Sequence, residues 1–106
     1  MVSFNDFKKL ELKIAKIVDA SDHPDADKLY VLKVNLGDKE KQLVAGIRNF
    51  YKTEELIGRQ IVVVDNLEAA TIRGVKSEGM LLAARDAEGI SLLMPEREMQ
   101  LGSSVM

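Results

Sequence analysis

The sequence of 106 residues contains no cysteine, no tryptophan and only two prolines. Without cysteine the chain forms no disulfide, thiolate nucleophile or zinc–thiolate site, which is typical of proteins in a reducing compartment. No apolar run approaches the roughly 18 residues that a membrane span needs, and the N-terminus lacks the apolar core of a signal peptide. The sequence therefore predicts a cytoplasmic protein without a membrane partner.

The sequence also lacks an excess of charge of either sign. It has 15 Lys and Arg against 17 Asp and Glu, for a formal net charge of −2. Bulk charge therefore gives no support for nucleic-acid binding, and a polyanion would have to bind a local basic patch. Aromatic residues make up only 5%, so base stacking would depend on few side chains, whereas 46% hydrophobic residues suffice for one core. We predict a single domain over residues 1–106.

Alternating apolar and polar residues predict a small set of strands. In the first, the apolar positions shift by one residue at Ala15 and Ile17, which predicts a bulge that bends the strand and leaves Lys16 on its polar face. Residues 28–36 and 41–46 predict the second and third strands. The segment 61–67 is typical of a strand buried on both faces, and a loop separates it from a closing hairpin at 79–84 and 90–94.

One short helix is predicted between the third and fourth strands. Thr53 is a plausible N-cap before Glu54 and Glu55, and Gly58 supplies a C-terminal stop. A bent first strand and a helix at this place favour an all-β fold with small α content, namely a five-stranded Greek-key barrel of the OB-fold type. An immunoglobulin-like sandwich fits less well because it requires about seven strands.

The segment "DHPDADKLYV", residues 22–31, contains the only histidine, His23, among three aspartates. A calcium loop would need oxygens at alternate positions and a central glycine, and acid–base catalysis would need a partner that the spacing does not supply. Weak binding of a divalent cation is one alternative. We favour a structured turn, because His-Pro disfavours helix and aspartates bond nearby backbone amides. No metal site is predicted.

Catalytic fingerprints are also missing. Ser77 does not lie in a G-x-S-x-G elbow, and the glycines at 74 and 79 form neither a dinucleotide-binding motif nor a P-loop. The sequence therefore predicts a protein that is not an enzyme and has no cofactor.

The segment "IRGVKSEGMLLAA", residues 72–84, is the more informative one. Gly74 and Gly79 permit positive φ or close backbone approach, so the loop between them can present its groups to a ligand. In OB-folds, loops beside the open sheet face bind oligonucleotides. Lys13 and Lys16 from the polar face of the first strand, together with Lys33 from the second, would complete a modest basic surface. The alternatives are that these lysines are merely solvated and that Met80 is a core residue. The candidate RNA contacts here are Lys13, Lys16, Lys33, Arg73, Lys76, Ser77, Glu78 and Met80.

Two segments, "LELKIAKIVDASDHPDADKLYVLKVNLGD" and "LVAGIRNFYKTEELIGRQIVVVDNLEAATIRGVKSEGMLLAA", resemble the tRNA-binding domain at the C-terminus of many methionyl-tRNA synthetases. Related forms of this synthetase domain are freestanding tRNA-binding proteins and the C-terminal modules of eukaryotic synthetase cofactors. The resemblance covers about residues 4–94. It implies a non-catalytic OB-fold that binds tRNA by shape near its outer corner, as a domain or a separate β subunit of the synthetase. It also implies RNA contacts for Lys16, Ser77, Glu78 and Met80, with Lys28 the RNA-facing member of "HPDADKLY".

The resemblance further implies a homodimer joined through segments that flank the barrel, here residues 1–9 and 95–106. Their apolar side chains lie outside the predicted barrel strands. A two-fold dimer would present two copies of the basic face and so raise affinity through effective concentration. The candidate interface residues are Phe4, Phe7, Met99, Leu101 and Val105.

One stretch departs from the family pattern. Many relatives have "NLKP" and a further basic residue before the "GV" motif, whereas this chain has Glu68, Ala69 and Thr71 there. The loss of positive charge predicts weak or strongly salt-dependent binding, since phosphate contacts dominate such complexes. The starting Met1 and the polar "LGSS" near the end are compatible with a complete short polypeptide.

Two other functions stay open. The first is a dimeric protein-secretion chaperone of the CsaA type, which shares this barrel. Such relatives generally lack the "HPDADKLY" motif and have a different residue in place of the glycine of "SEGM". A scaffold that only docks onto the synthetase through apolar termini is the second alternative.

Overall fold

The computed structural model describes residues 1–106. None of its helices is long or apolar enough to cross a membrane. Two short helices and ten strands follow one another along the chain: α1 Phe4–Phe7, β1 Leu12–Asp22, β2 Tyr30–Asn35, β3 Glu40–Ala45, α2 Thr53–Leu56, β4 Gln60–Val64, β5 Ala70–Ile72, β6 Val75–Ser77, β7 Met80–Leu81, β8 Ala83–Asp86, β9 Gly89–Leu92 and β10 Ser104–Val105.

The main sheet has the strand order β3-β2-β1-β4-β7, with β10 added beside β1. Every pair is antiparallel, and β5–β6 and β8–β9 form two separate hairpins. The long strand β1 pairs with β4 through its first half and with β2 through its second, and the register shifts between Ile17 and Asp19. This bulge lets one strand serve both halves of a nearly closed barrel. The predicted fold, mostly β with a short helix between the third and fourth strands, is confirmed.

Strands β1 and β4 are covered on both faces. One set of their side chains fills the barrel interior, and the alternate set forms a second cluster on the outside, beneath Leu82, Met99 and Val105. The prediction of a fourth strand buried on both faces is therefore confirmed. Burial on both faces also explains why the apolar positions of β1 shift by one residue at Ala15. Ile14 faces the outer cluster, whereas Ala15 faces the barrel interior. The bulge predicted at this shift is thus misplaced, since the register changes only after Ile17.

The segment before "SEGM", predicted as a loop, contains the hairpin β5–β6. Its two turn residues, Arg73 and Gly74, have φ values of 51° and 86°. Positive φ at both central residues is the geometry of a tight hairpin turn whose twist matches the strands. The sequence hid this turn because arginine replaces the usual Asn or Asp, and because strands of three residues are too short to show alternation.

Two further boundaries differ from the prediction. The helix α2 begins at Thr53 itself, with Lys52 as N-cap, and the Glu55 carboxylate accepts a hydrogen bond from the Lys52 amide at 2.8 Å. The predicted closing strand divides at Leu82 into β7, which pairs with β4, and β8, which pairs with β9. Tertiary pairing decides both boundaries, so the local pattern places them within one or two residues.

Candidate nucleic-acid interface

The segment 76–79 closes the open edge of the sheet. The amide of Gln42 on β3 donates to the Glu78 carboxylate at 3.0 Å, and the Glu78 amide donates to the Gln42 carbonyl at 2.8 Å. The Val44 amide donates to the Ser77 hydroxyl at 3.0 Å, and that hydroxyl donates to the Gly79 carbonyl at 3.0 Å. These bonds occupy backbone groups that an edge strand would otherwise leave free.

Ser77 and Glu78 therefore have partners inside the protein. Ser77 is 4% exposed, and its hydroxyl is engaged both as donor and as acceptor. Glu78 is half-buried, with one carboxylate oxygen bound to the β3 backbone. Both side chains hold the loop against β3, so the geometry gives them a positioning role. Their direct contact with RNA stays a prediction.

Gly79 is required by close packing rather than by its backbone conformation. A Cβ atom there would lie 2.9 Å from the Val64 carbonyl oxygen and 3.2 Å from Leu43 Cδ2. The sequence predicts positive φ or close backbone approach for the two glycines. Gly74 has positive φ, whereas Gly79 allows its backbone to lie close to β3 and β4. A larger residue at 79 would push the closing segment away from β3 and β4.

Met80 lies at the surface and not in the core. Its side chain is 50% exposed at the edge of a groove of about 380 Å³ with a mainly apolar lining. The groove runs between β3, the β5–β6 hairpin and β7, and its apolar residues include Ile47, Leu67, Ile72 and Leu81. The core alternative for Met80 is therefore wrong, and a contact of Met80 with RNA stays a prediction.

His23 explains the "DHPDAD" turn. Its side chain is 3% exposed, its Nδ1 accepts a hydrogen bond from the Asp25 amide at 3.0 Å, and its Nε2 lies 3.0 Å from the Ile72 carbonyl oxygen. Because Nδ1 accepts the bond from the Asp25 amide, Nε2 is the ring nitrogen that donates to the Ile72 carbonyl. Arg73 Nη2 donates to the Asp25 carbonyl at 3.0 Å. The interpretation as a structured turn is confirmed, and the turn holds the tip of the β5–β6 hairpin.

Lys28 and Arg73 line one shallow depression, but they share it with carboxylates. Asp25 and Asp27 line the same depression. The neighbouring Arg48 forms an ion pair with Asp22 at 3.1 Å. Charges around this turn are therefore nearly balanced, so the depression offers little net attraction for phosphate.

Lys13 and Lys16 lie on opposite faces of β1, so the prediction that they share one polar face is wrong. Lys13 is on the interior side, with its ammonium 3.4 Å from the Asp65 carboxylate. Lys39 and Lys41 approach the same carboxylate at 3.0 and 2.7 Å, and the Asp65 side chain is only 5% exposed. We call Lys13, Lys39 and Lys41 the inner lysine trio.

The trio determines the ionisation of Asp65. Burial by itself raises the pKa of this carboxyl, but hydrogen bonds from Lys41 and Lys39 outweigh burial and lower the pKa to about 2. The hydrogen bond to Asp65 in turn raises the pKa of Lys39. The three lysines of the trio therefore pair with a buried anion at one end of the barrel, and the Asp65 carboxylate partly neutralises their positive charge.

Three other lysines follow one another across the outside of the sheet. Lys16 pairs in register with Asn35, which lies two residues from Lys33 on the same face of β2. Lys33 pairs in register with Gln42 on β3, whose side-chain amide donates to the Lys76 carbonyl at 2.8 Å. All three side chains are exposed, and none forms an ion pair. We call Lys16, Lys33 and Lys76 the outer lysine row.

Two arginines beside this row are absent from the sequence prediction. Arg59 and Arg97 line a cleft together with Lys16. Arg59 directly follows the glycine that ends α2, and Arg97 lies in a tail segment that the sequence assigned to a dimer interface. No local signal relates either residue to β1, because only the fold brings the tail across the start of β4.

The residues predicted for a dimer interface divide into two groups. Phe4 and Phe7 on α1 are 72% and 42% exposed. Met99 and Val105 instead pack on the outer apolar cluster of their own chain, and Val105 pairs with Leu12 as part of β10. Val105 therefore lies in a short strand added beside β1, off the path β3-β2-β1-β4-β7. Leu101 is half-buried, with its backbone against Gly37.

Comparisons with known proteins agree with this architecture. The family model "Putative tRNA binding domain" matches residues 12–104. The chain is 54% identical over 104 residues to the methionine–tRNA ligase of Thermococcus kodakarensis. The aligned region covers 98% of this chain and 14% of the ligase. The chain thus spans about one seventh of the length of that relative.

Two solved structures share the whole fold. A MetRS-related protein from Pyrococcus horikoshii superposes with a TM-score of 0.93 at 30% identity, covering 100% of this chain and 98% of that protein. A CsaA chaperone protein from Picrophilus torridus gives a TM-score of 0.92 at 34% identity, with 100% of both chains covered. With its barrel, its closing "SEGM" segment and the match over residues 12–104, this chain belongs to the tRNA-binding domain family.

Proposed function

We propose that this chain is a non-catalytic module that binds folded tRNA by shape. It would act as the C-terminal domain or the separate β subunit of a cytoplasmic methionyl-tRNA synthetase, without a cofactor, and raise the affinity of the catalytic chain for tRNA. The observation that carries the proposal is the outer lysine row, in which Lys16 and Lys33 lie on the outer face of the sheet and Lys76 lies on the adjoining β5–β6 hairpin, all exposed and without an ion pair.

The geometry of the row suits a phosphate backbone. Neighbouring strands lie about 4.8 Å apart, so side chains on β1, β2 and the closing segment beside β3 reach over roughly 15 Å of surface. Each unpaired lysine that meets a phosphate releases condensed counterions, and this release supplies most of the sequence-independent affinity. Recognition of RNA shape through phosphates and 2′-hydroxyl groups needs no base-specific side chain, which fits the scarcity of aromatic residues.

The loop residues have a different part in this proposal. Ser77 and Glu78 fix the closing segment against β3, which orients Lys76 at one end of the row. Met80 lies on the rim of the apolar groove, where a half-exposed thioether can contact a base or a ribose. Arg73 and Lys28 line a depression that they share with Asp25 and Asp27, and we assign them weaker RNA contacts.

A homodimer is part of the proposal. Phe4 and Phe7 are exposed aromatic residues on a four-residue helix, and such side chains are enriched in protein interfaces. The tail residues Met99, Leu101 and Val105 would support the interface by ordering residues 95–106 against β1 rather than by entering it alone. Two outer lysine rows on one dimer would bind one tRNA more tightly than either row separately.

A CsaA-like chaperone is the second candidate, and the apolar groove beside Met80 is the observation that favours it. Identity to the methionine–tRNA ligase segment is 54%, against 34% to the CsaA chaperone protein over the whole chain. We therefore favour the tRNA-binding module. A groove that binds unfolded peptides while the row fails to bind tRNA would reverse this preference.

Fluorescence anisotropy with labelled tRNA tests the proposal. The protein is titrated at several salt concentrations, and an unstructured RNA of the same length is the comparator. We expect saturable binding that favours folded tRNA, weakens steeply as salt rises and differs little among tRNA species. Equal affinity for the two RNAs would contradict recognition by shape, and no binding at low salt would contradict the whole proposal.

A further inference from the structure

The cleft beside Lys16 lies between the end of α2 and the tail. It has a volume of about 380 Å³, and its cationic lining consists of Lys16, Arg59 and Arg97. Two carboxylates, Glu96 and Glu98, also line it, so the cleft carries one more positive than negative charge. We call it the arginine cleft.

Arg59 is held in place without neutralising its charge. Its guanidinium stacks at 5.3 Å from the Tyr51 ring centre, its Nε donates to the Glu55 carbonyl at 2.7 Å, and its Nη1 donates to the Met94 sulfur at 3.6 Å. A guanidinium has five N–H donors, so most of them remain free for a ligand. A fixed, planar, unpaired guanidinium is suited to binding phosphate, because little side-chain entropy is lost on contact.

Lys16 and Arg97 complete the cleft with exposed cationic side chains. Lys16 is exposed and has no ion pair, and it belongs to the outer lysine row as well as to the cleft. Arg97 is exposed, and its Nη1 donates only to the neighbouring Glu98 carbonyl at 3.2 Å. The cleft therefore continues the row from β1 towards the tail, on the side away from the closing segment.

We propose that the arginine cleft is a second phosphate-binding site for the tRNA backbone, beyond the outer lysine row. The inference rests on the proposed function. In it, Arg59 supplies the fixed contact, Lys16 connects the cleft to the row, and Arg97 closes over the phosphate. Glu96 and Glu98 weaken the site, because they repel the same phosphate that the cations attract.

Three cleft variants and a matched control test the cleft. Arg97→Gln removes one cation of the cleft, and Glu98→Gln removes one repelling carboxylate. Arg85→Gln makes the same change as the first variant on the separate β8–β9 hairpin, where Arg85 is also exposed. Each protein is titrated with labelled tRNA at several salt concentrations, and its melting temperature is recorded. Arg59→Lys, which keeps the charge but removes the planar donors, is the third cleft variant.

We expect Arg97→Gln to raise Kd roughly two- to fivefold and to lower the slope of log Kd against log salt by about one. Glu98→Gln should lower Kd, whereas Arg85→Gln should leave both Kd and slope unchanged. Arg59→Lys should raise Kd without lowering the slope, because the charge remains.

Equal Kd values for Arg97→Gln and Arg85→Gln, or weaker binding by Glu98→Gln, would overturn the cleft while leaving the proposed function intact. If the unaltered protein binds folded tRNA and unstructured RNA equally well, both the cleft and the proposed function are overturned. The two failures are therefore distinguishable in one set of titrations.

Discussion

Two groups of three lysines in this barrel have opposite tasks. The inner trio surrounds the buried Asp65 carboxylate at distances of 2.7 to 3.4 Å, while the outer row forms no ion pair. Lys13 of the trio and Lys16 of the row are three residues apart on the same strand. Their positions on opposite faces of β1 decide whether each charge stabilises the fold or remains available for a ligand.

The difference shows why a net charge of −2 is a poor guide to binding. A buried carboxylate loses its hydration and is stable as an anion only if cations and hydrogen bonds replace the water. The trio serves that purpose, so its lysines add little to the external field. An exposed lysine without a partner keeps its full charge towards solvent, and a few such groups on one face attract a polyanion despite the acidic total.

The largest expected effect is at the centre of the trio. Asp65→Asn removes the anion and leaves three clustered lysines, and the lowered pKa of Asp65 corresponds to about 2 kcal/mol of the free energy of unfolding. Urea denaturation measures the loss. Asp27→Asn, an exposed aspartate without an ion pair, is the control and should change stability little. Equal stability of the two variants would mean that the trio does not stabilise the fold.

Acid should produce a loss of similar size in the unaltered protein. The folded pKa of Asp65 lies near 2, below its ordinary value of 3.8. The stabilisation is therefore complete above about pH 4 and is lost as the pH falls through the folded pKa towards 2. Unfolding free energies measured between pH 5 and 2 should fall more steeply for the unaltered protein than for Asp65→Asn. Parallel curves would contradict the contribution of Asp65.

A smaller effect is expected at the closing segment. Ser77→Ala leaves the Val44 amide without its hydrogen-bond acceptor in a buried place, which costs about 1–2 kcal/mol of stability. Thermal melts measure this, and Ser91→Ala, at an exposed serine on β9, is the control. If Ser77→Ala melts normally but binds tRNA weakly, the hydroxyl contacts RNA directly, as the family resemblance implies.

The smallest effects should separate the two lysine groups themselves. Lys13→Gln should lower the unfolding free energy by less than about 1 kcal/mol, since two lysines still neutralise Asp65, and should leave tRNA binding unchanged. Lys16→Gln should leave stability unchanged and raise the Kd for tRNA roughly two- to fivefold. Melting curves and anisotropy titrations of both variants provide the measurement. Equal effects of the two changes on Kd would remove the distinction between trio and row.

Much of the fold was predictable because strong local patterns specify it. Alternation located β2 and β3, the apolar run located β4, and the Gly58 stop located the end of α2 to within two residues. The β5–β6 hairpin was missed because its strands are short and its turn uses Arg73 in a conformation that favours glycine or asparagine. The His23 turn was predictable, but its hydrogen bond to Ile72, 49 residues away, was not.

The candidate site was predictable only in part. "SEGM" stood out as an unusual segment, yet its serine and glutamate bond to β3, a relation that no spacing in the sequence reveals. The outer lysine row was half recognised, because Lys16 and Lys33 were named together with Lys13, which belongs to the trio. Arg59 and Arg97 were missed, since they meet Lys16 only where the tail crosses β4.

By itself the sequence determined that this chain forms a small β-rich barrel, and its motifs identified the tRNA-binding family. Hydrophobic periodicity and glycine positions are local properties, so they can be read without knowing the partners of each strand. The tertiary structure alone decided which lysines form ion pairs with Asp65 and which lie on the surface without an ion pair. That choice depends on register and on the bend in β1, and a shift of one residue in the pairing would exchange the two faces.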